Sequence, residues 1–366
     1  MFVALRDIRF ARGRFALMGA VVTLITTLVV FLYGLTGGLA ADASSAVTGL
    51  PAQTIVFGAP RGATPEVSFG NSGIDPQQQA AWAAAPGAGT VSPLGVAMSR
   101  LTSGGGATSV SVLGGPAALL PPLASGSAPG AGQVAVGRGT AAADGLTLGS
   151  TVTLGTVTLT VSGLTADRSY GHAPAVWTGL ATWQQVSGAS RPNVLAVSGS
   201  PSGVAALDRA QNTDAVSRSA ALAGIDGYSA EQGSLQLIQG FLFAVSALVI
   251  GAFFTVWTVQ RRPDIAVLKA VGASSGYLVR DALGQALILL LLGTLTGAAL
   301  GLAGGAIAGG GGGGGGAAGS GVPFALGAGT VAVPVLAIVV LGLAGAALAV
   351  RRITSVDPLT ALGANR

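Results

Sequence analysis

Four stretches of this chain carry no charged residue: Phe15 to Leu39, Leu235 to Val259, Ala282 to Ala308 and Val331 to Val350. A helix rises about 1.5 Å per residue, so about 20 apolar residues cross a hydrocarbon core of about 30 Å. Each stretch is long enough. Only 8% of the 366 residues are charged and half are apolar, too little charge for a soluble chain of this length. The chain is therefore read as a membrane protein with four transmembrane α-helices.

Charge sets the expected orientation. Arg6, Arg9, Arg12 and Arg14 precede the first stretch, Arg261, Arg262, Lys269 and Arg280 lie between the second and third, and Arg351, Arg352 and Arg366 follow the fourth. These eleven cations meet only Asp7, Asp264, Asp281 and Asp357, a net +7, whereas Asp42 to Glu231 holds seven arginines against nine acids. Short positive loops stay inside, which predicts a multi-pass protein of the cell (plasma) membrane with both termini cytoplasmic and the long middle region outside. The positive charge is split among juxtamembrane sites, where it can meet lipid phosphates, and it forms no aromatic-interleaved patch. Nucleic acid is thus not an expected partner. Cysteine is absent, compatible with an exported domain but silent on the compartment. The first stretch has the basic leader of a signal peptide, but at 25 residues it exceeds a signal core of roughly 7–15, so it is read as a retained span.

The resulting partition is 1–14 a cytoplasmic amphipathic helix, 15–39 the first span, 40–234 a large α+β extracytoplasmic domain inserted between helices 1 and 2, and 235–259 the second span. It continues with 260–281 a cytoplasmic loop, 282–308 the third span, 309–330 a Gly-rich outer loop, 331–350 the fourth span and 351–366 a cytoplasmic tail. Within the middle region, Gly58 to Pro76 and Gly104 to Gly132 are rich in Gly, Pro, Ser and Ala and read as loops or linkers. Thr151 to Val161 alternates apolar residues with threonines and reads as a hairpin around Gly155. Val194 to Val197 reads as a strand, and Ser202 to Ala223 has helical composition. The eight glycines Gly309 to Gly316 cost too much backbone entropy to hold a helix.

Chemistry is hard to assemble here. The single lysine, Lys269, is followed by Ala270 and lacks the glycine pattern of a phosphate-binding loop. One histidine, two glutamates and no cysteine leave no plausible zinc cluster, and no G-x-S-x-G elbow presents a serine. An enzyme is not expected, and no cofactor is expected on this chain. The segment from Pro263 to Gly272 is suited to a short helix that Pro263 and Asp264 start and Gly272 stops, with Ile265, Val267, Leu268 and Val271 as an apolar stripe. It either docks on a partner or merely anchors the loop inside by its charges.

Gln260 to Ser274 is similar to the cytoplasmic signature R-x-x-E-I-x-V-L-K-A-L-G-A-S of FtsX/MacB-like permeases, the membrane subunits of ABC transporters. Asp264 stands where Glu is usual, and Pro263 is an addition. Gly137 to Leu154 resembles a phrase of the same family's extracytoplasmic domain, with Ser150 replacing the usual Asp. Arg351 to Leu362 resembles its closing R-R-x-x-x-x-x-P-x-x-A-L, with Gly363 where a basic residue is customary. Ala40 to Gln133 is unmatched. The resemblance implies a homodimer working with two copies of an ABC ATPase subunit that holds ATP and Mg. ATPase motion would enter through Arg261, Arg262, Asp264, Ile265, Leu268, Lys269, Gly272 and the tail around Pro358, and pass to the outer domain.

Asp167 to Trp177 is similar to a Y-x-H-x-P-V-V-W-T stretch of the haem-exporter (HrtB-like) and DevC-like branch. Under that resemblance Tyr170 and His172 are candidate haem ligands and the cargo is a lipophilic or amphiphilic molecule such as haem. The plainer reading of His172 is a loop histidine that hydrogen-bonds locally, since one residue is not a pocket. The alternative function is a signalling permease that controls a cell-wall hydrolase or a sensor kinase.

Overall fold

The computed structural model describes residues 12–354 apart from 61, 105, 262, 264–266, 268–270 and 310–321. The amphipathic helix expected over 1–14 therefore lies outside the described residues except for its last three, as do the glycine tract beyond Gly309 and the tail from residue 355. In chain order the described elements begin with helix α1 (Arg12–Thr48), β1 (Thr54–Gly58), α2 (Pro76–Ala83), β2 (Val91–Ser103), β3 (Gly106–Gly114), β4 (Leu123–Gly126), β5 (Gln133–Gly137) and α3 (Arg138–Ala143). They continue with β6 (Thr151–Leu154), β7 (Val157–Thr165), β8 (Ser169–Tyr170), β9 (Ala173–Thr178), α4 (Leu180–Ser187), β10 (Val194–Val197), α5 (Val204–Gln211) and β11 (Thr213–Ser217). The last three are long helices, α6 (Tyr228–Gln260), α7 (Ser275–Ala308) and α8 (Ala328–Thr354).

Among the described residues four helices are long and apolar enough to cross a membrane, in α1, α6, α7 and α8, with a sheet domain between the first and second. This is the α+β-with-four-spans fold expected from the sequence. The helices share one core, in which Val22 and Val29 of α1 meet Ile250, Phe254 and Trp257 of α6, Leu290 of α7, and Ile338 and Ala346 of α8. Because lipid is as apolar as leucine, such helices associate through close packing of small residues rather than through hydrophobic burial. Gly293, Gly297 and Gly301 of α7 supply that here. A methyl at Gly297 would lie 2.5 Å from the Thr23 carbonyl oxygen, so only glycine lets the two backbones approach this closely. Thr27 Oγ1 also donates to the Gly297 carbonyl at 3.2 Å. On the outward faces Leu24, Leu248 and Leu292 are exposed, as lipid-facing side chains must be.

The sheet domain belongs to a separate unit, Gly37–Ser234. Its eleven strands run in the order β11-β1-β10-β2-β3-β9-β5-β7-β4, with β6 bridging β2 and β7 and β8 pairing β9. Most pairs are antiparallel, and β3/β9 and β5/β7 are parallel. The expected hairpin is present as β6 and β7, in antiparallel register from Thr151↔Thr160 to Leu154↔Val157, with Gly155 at φ +61° in the turn. Val194–Val197 is a strand, buried at all four positions. The last residues of α1 and those just beyond it, Ala46, Val47 and Leu50, are fully buried in the same cluster as Phe57, Tyr170 and Trp177.

Two expectations for this domain need correction. Gly104 to Gly132 is not simply a linker. Its Gly106–Gly114 portion is a nine-residue strand paired along β2 from Ser103↔Gly106 to Gly95↔Gly114. Its Gly114 has a packing role, since Trp183 of α4 lies directly on Gly114 and on Gly95 of β2, where any Cβ would overlap the Trp183 side chain. Ser202 to Ala223 is α-helical only over Val204–Gln211, then forms β11, and turns helical again in a short 3-10 segment, Ala220–Gly224. Asn212 ends the helix in the left-handed region at φ 54°, its amide donating to the carbonyls of Ala59, Pro60 and Ala63, and Thr213–Ser217 completes the sheet edge against β1. Long-range pairing outweighs local helix propensity there.

Candidate functional site

Strands β8 and β9 pair through Tyr170↔Ala173, leaving Gly171 and His172 as a two-residue turn with φ of +56° and +61°. Positive φ at both central positions is what type I′ hairpin turns require. Glycine adopts it freely, whereas an L-residue is disfavoured there by about 1–2 kcal/mol, so surrounding bonds must hold His172 in place. Those bonds reach two helices. The Gly171 amide donates to the Ala43 carbonyl at 2.8 Å, the Ser169 amide donates to Ser45 Oγ at 2.8 Å, and Ser45 Oγ donates back to the Ser169 carbonyl at 3.3 Å. The imidazole lies between two carboxylates, with Nδ1 3.3 Å from Asp42 Oδ2 of α1 and Nε2 2.9 Å from Glu231 Oε2 of α6.

Two acceptor partners on opposite ring nitrogens select the doubly protonated form, because a neutral imidazole has one N–H to donate. Burial pulls the His172 pKa down, but the hydrogen bond and charge of Glu231, followed by those of Asp42, outweigh it and leave the pKa above the ordinary 6.5. The carboxylates stand on either side of the ring instead of converging. Among the described residues no group of three His, Cys, Asp or Glu is arranged to hold a metal. Tyr170 is a core residue. Its ring packs edge-on against Phe69 at 5.6 Å, its carbonyl accepts from Ser111 Oγ at 2.7 Å, and burial, with the charge of Asp226 adding to it, pushes its phenol pKa up. The two candidate haem ligands are thus adjacent in sequence but differ in setting, Tyr170 being buried and His172 committed at both nitrogens.

A second cluster lies where α6 ends and α7 begins. The Arg261 guanidinium stacks over Trp257, 5.1 Å from the ring centre, and donates to Gln285 Oε1 at 2.6 Å, while Gln285 Nε2 donates to Asp281 Oδ2 at 2.9 Å. Gln285 is buried, so Arg261 is spent on tying the two helices together at the base of the intervening segment. In that segment Val271 donates its amide to the Val267 carbonyl at 3.1 Å, Val267 is 64% and Val271 83% exposed, and Gly272 follows at φ +103°. Ser274 caps α7 by accepting from the Tyr277 amide. Arg262, Asp264, Ile265, Leu268, Lys269 and Pro358 lie outside the described residues.

Sequence reasoning singled out His172 but not its partners Asp42 and Glu231, nor Gln285. The available signal was positional, since Asp42 and Glu231 are the acids nearest the outer ends of the first two apolar stretches.

Residues 237–358 match the family described as FtsX-like permease C-terminal. Over 99% of both chains, the protein is 24% identical to one from Staphylococcus haemolyticus named as a hemin transport system permease protein, HrtB. It is 25% identical, again over 99% of both, to an uncharacterized ABC transporter permease of Mycobacterium tuberculosis. The periplasmic region of MacB from Actinobacillus actinomycetemcomitans superposes on 50% of this chain and 96% of its own at 16% identity and a TM-score of 0.37.

Proposed function

From the FtsX-like permease match over residues 237–358 and the full-length likeness to ABC transporter permeases, we propose that this chain is an ABC transporter permease of the FtsX/MacB family, a multi-pass protein of the plasma membrane that passes the motion of a partner ATPase to its sheet domain to expel an amphiphilic cargo such as haem. In this reading both termini and the 260–281 loop are cytoplasmic and the sheet domain is outside. Two copies of the chain engage two ATPase subunits, which hold the ATP and Mg, and this chain hydrolyses nothing.

The observation that carries the reading is the exposed apolar pair Val267 and Val271, one helical turn apart in the segment between α6 and α7. Exposed apolar side chains in an otherwise basic loop call for a partner surface, and Ile265 and Leu268 extend the same stripe in sequence. Arg262, Asp264 and Lys269 would flank the contact with charge, Gly272 would end it, and the tail around Pro358 would lie beside it. Arg261 acts from behind by fixing the loop base through Gln285. At about 1.5 Å per residue, the 37 residues of α1 and the 33 of α6 reach beyond a core of about 30 Å, which makes them suitable struts. The haem assignment is supported by the full-length likeness to a hemin transport permease and does not require His172 as a ligand.

A strain deleted for this chain should become haem-sensitive and accumulate haem, with rescue requiring both the permease and its ATPase. Normal haem tolerance, in a strain without a second exporter, would reject the cargo and leave the permease reading standing.

A further inference from the structure

The chain contains one histidine, and its two nitrogens meet side chains from two different helices of membrane-spanning length. We propose that His172 is a positioning residue: as an imidazolium it clasps Asp42 of α1 and Glu231 of α6 to the Gly171–His172 turn, so that the sheet domain follows both helices together. The role in motion rests on the permease reading above, whereas the clasp itself does not.

The geometry separates the two arms. Toward α1 the turn also has the Gly171 to Ala43 and Ser169 to Ser45 bonds, so that side stays attached whatever the imidazole does. Toward α6 it reaches with the His172 side chain, at the shorter of the two distances, 2.9 Å against 3.3 Å. Protonation therefore governs chiefly whether the first turn of α6 is held at the hairpin, since farther along α1 and α6 stay joined through their shared core and the Gln239 to Thr36 hydrogen bond. The charged groups facing the ring are Asp42 from the first helix and Glu231 from the second. On its own hairpin, Arg168 turns away to the Asp167 carbonyl, and Tyr170 is buried under the influence of Asp226. When the proton leaves, one nitrogen becomes a lone pair facing a carboxylate, and a charge-assisted bond becomes a repulsion. The sign follows from the raised folded-state pKa. The clasp's contribution is complete below 6.5 and is lost as pH rises through the folded-state value. A left-handed, unfavourable backbone at this residue also fits a side chain kept for its contacts.

The single histidine makes the test direct. In the full chain, 15N-histidine-labelled and held in lipid nanodiscs, the imidazole should be doubly protonated at its midpoint's acid side, with that midpoint above 6.5. Asp42→Asn and Glu231→Gln should each lower it. His172→Asn keeps a residue that tolerates the left-handed turn but removes the charge. Hydrogen exchange at the Glu231 amide should then become on the order of tenfold faster at pH 6, while the Gly171 amide, bonded to the Ala43 carbonyl, changes little, and the variant should lose the dependence on pH that the parent shows at Glu231 across its midpoint. A midpoint at or below 6.5, or one that neither carboxylate variant moves, would overturn the clasp. So would unchanged exchange at Glu231 in His172→Asn, which would leave only an ion pair that positions nothing. With the ATPase present, stimulated turnover should fall across the same midpoint in the parent but be flat in His172→Asn. A clasp that titrates and protects as stated, in a chain that no ATPase drives at any pH, would reject the permease mechanism and leave the clasp intact.

Discussion

Replacing Gly297 by alanine tests how α1 and α7 are held together. The new methyl would lie 2.5 Å from the Thr23 carbonyl oxygen, 2.7 Å from Thr26 Cβ and 3.1 Å from the Thr27 amide nitrogen, against ordinary contacts of 3.4 Å or more. The nearest obstacle is helix backbone, which no rotamer change can clear, so the helices must part by nearly 1 Å. Separation also affects the neighbours that share the face, Gly293 against Val22 and Gly301 against Val30. A gap of about 0.5–1 Å forfeits a quarter to a half of each dispersion well. The Thr27 to Gly297 hydrogen bond, already 3.2 Å, is lost, but Thr27 Oγ1 retains the Thr23 carbonyl at 2.8 Å, so that loss is near the membrane average of about 0.6 kcal/mol. Overpacking adds about 1–3 kcal/mol, which with the lost hydrogen bond gives an expected destabilisation of about 1.5–3.5 kcal/mol. The assay is reversible unfolding in mixed micelles under SDS titration, followed by tryptophan fluorescence. Gly284→Ala, on the same helix with nothing within 4 Å of its added methyl, is the control and should be neutral or slightly stabilising. Equal stability of the two variants would refute the proposed close approach of α1 and α7.

Three further outcomes are expected. Single cysteines at Ser125, Ser274 and Thr354 in this cysteine-free chain should differ in whole cells, with only Ser125→Cys labelled by an impermeant maleimide; external labelling of Ser274→Cys would reverse the orientation. Leu268→Asp or Lys269→Glu should reduce co-purification and stimulation of the partner ATPase while leaving membrane insertion intact, and full coupling in both would make the loop a mere inside anchor. Gly114→Ala should cost about 1–3 kcal/mol by displacing Trp183, which is nearly fully buried, and a near-ultraviolet circular dichroism spectrum identical to the parent's would contradict that packing.

The apolar stretches were legible because an absence of charge over 20 or more residues is a local property with one physical solution in lipid. The hairpin at Thr151–Val161 was legible for a similar reason, its alternation and its turn glycine being neighbours in sequence. Strand β3 was not, since its glycines and serines look like a linker until Trp183 of α4 is laid on Gly95 and Gly114. Nor was β11, where pairing with β1 overrides a helical composition. The same division runs through the candidate site. Tyr170 and His172 stood out as a motif, yet their environments depend on residues far along the chain. Asp42 is 130 positions from His172 and Glu231 is 59. Sequence alone determined that the chain crosses a membrane and which side its charges favour, because hydrophobicity and charge act residue by residue. Only the tertiary structure decided that its one histidine sits between the ends of two helices, because that depends on where a folded sheet carries a turn.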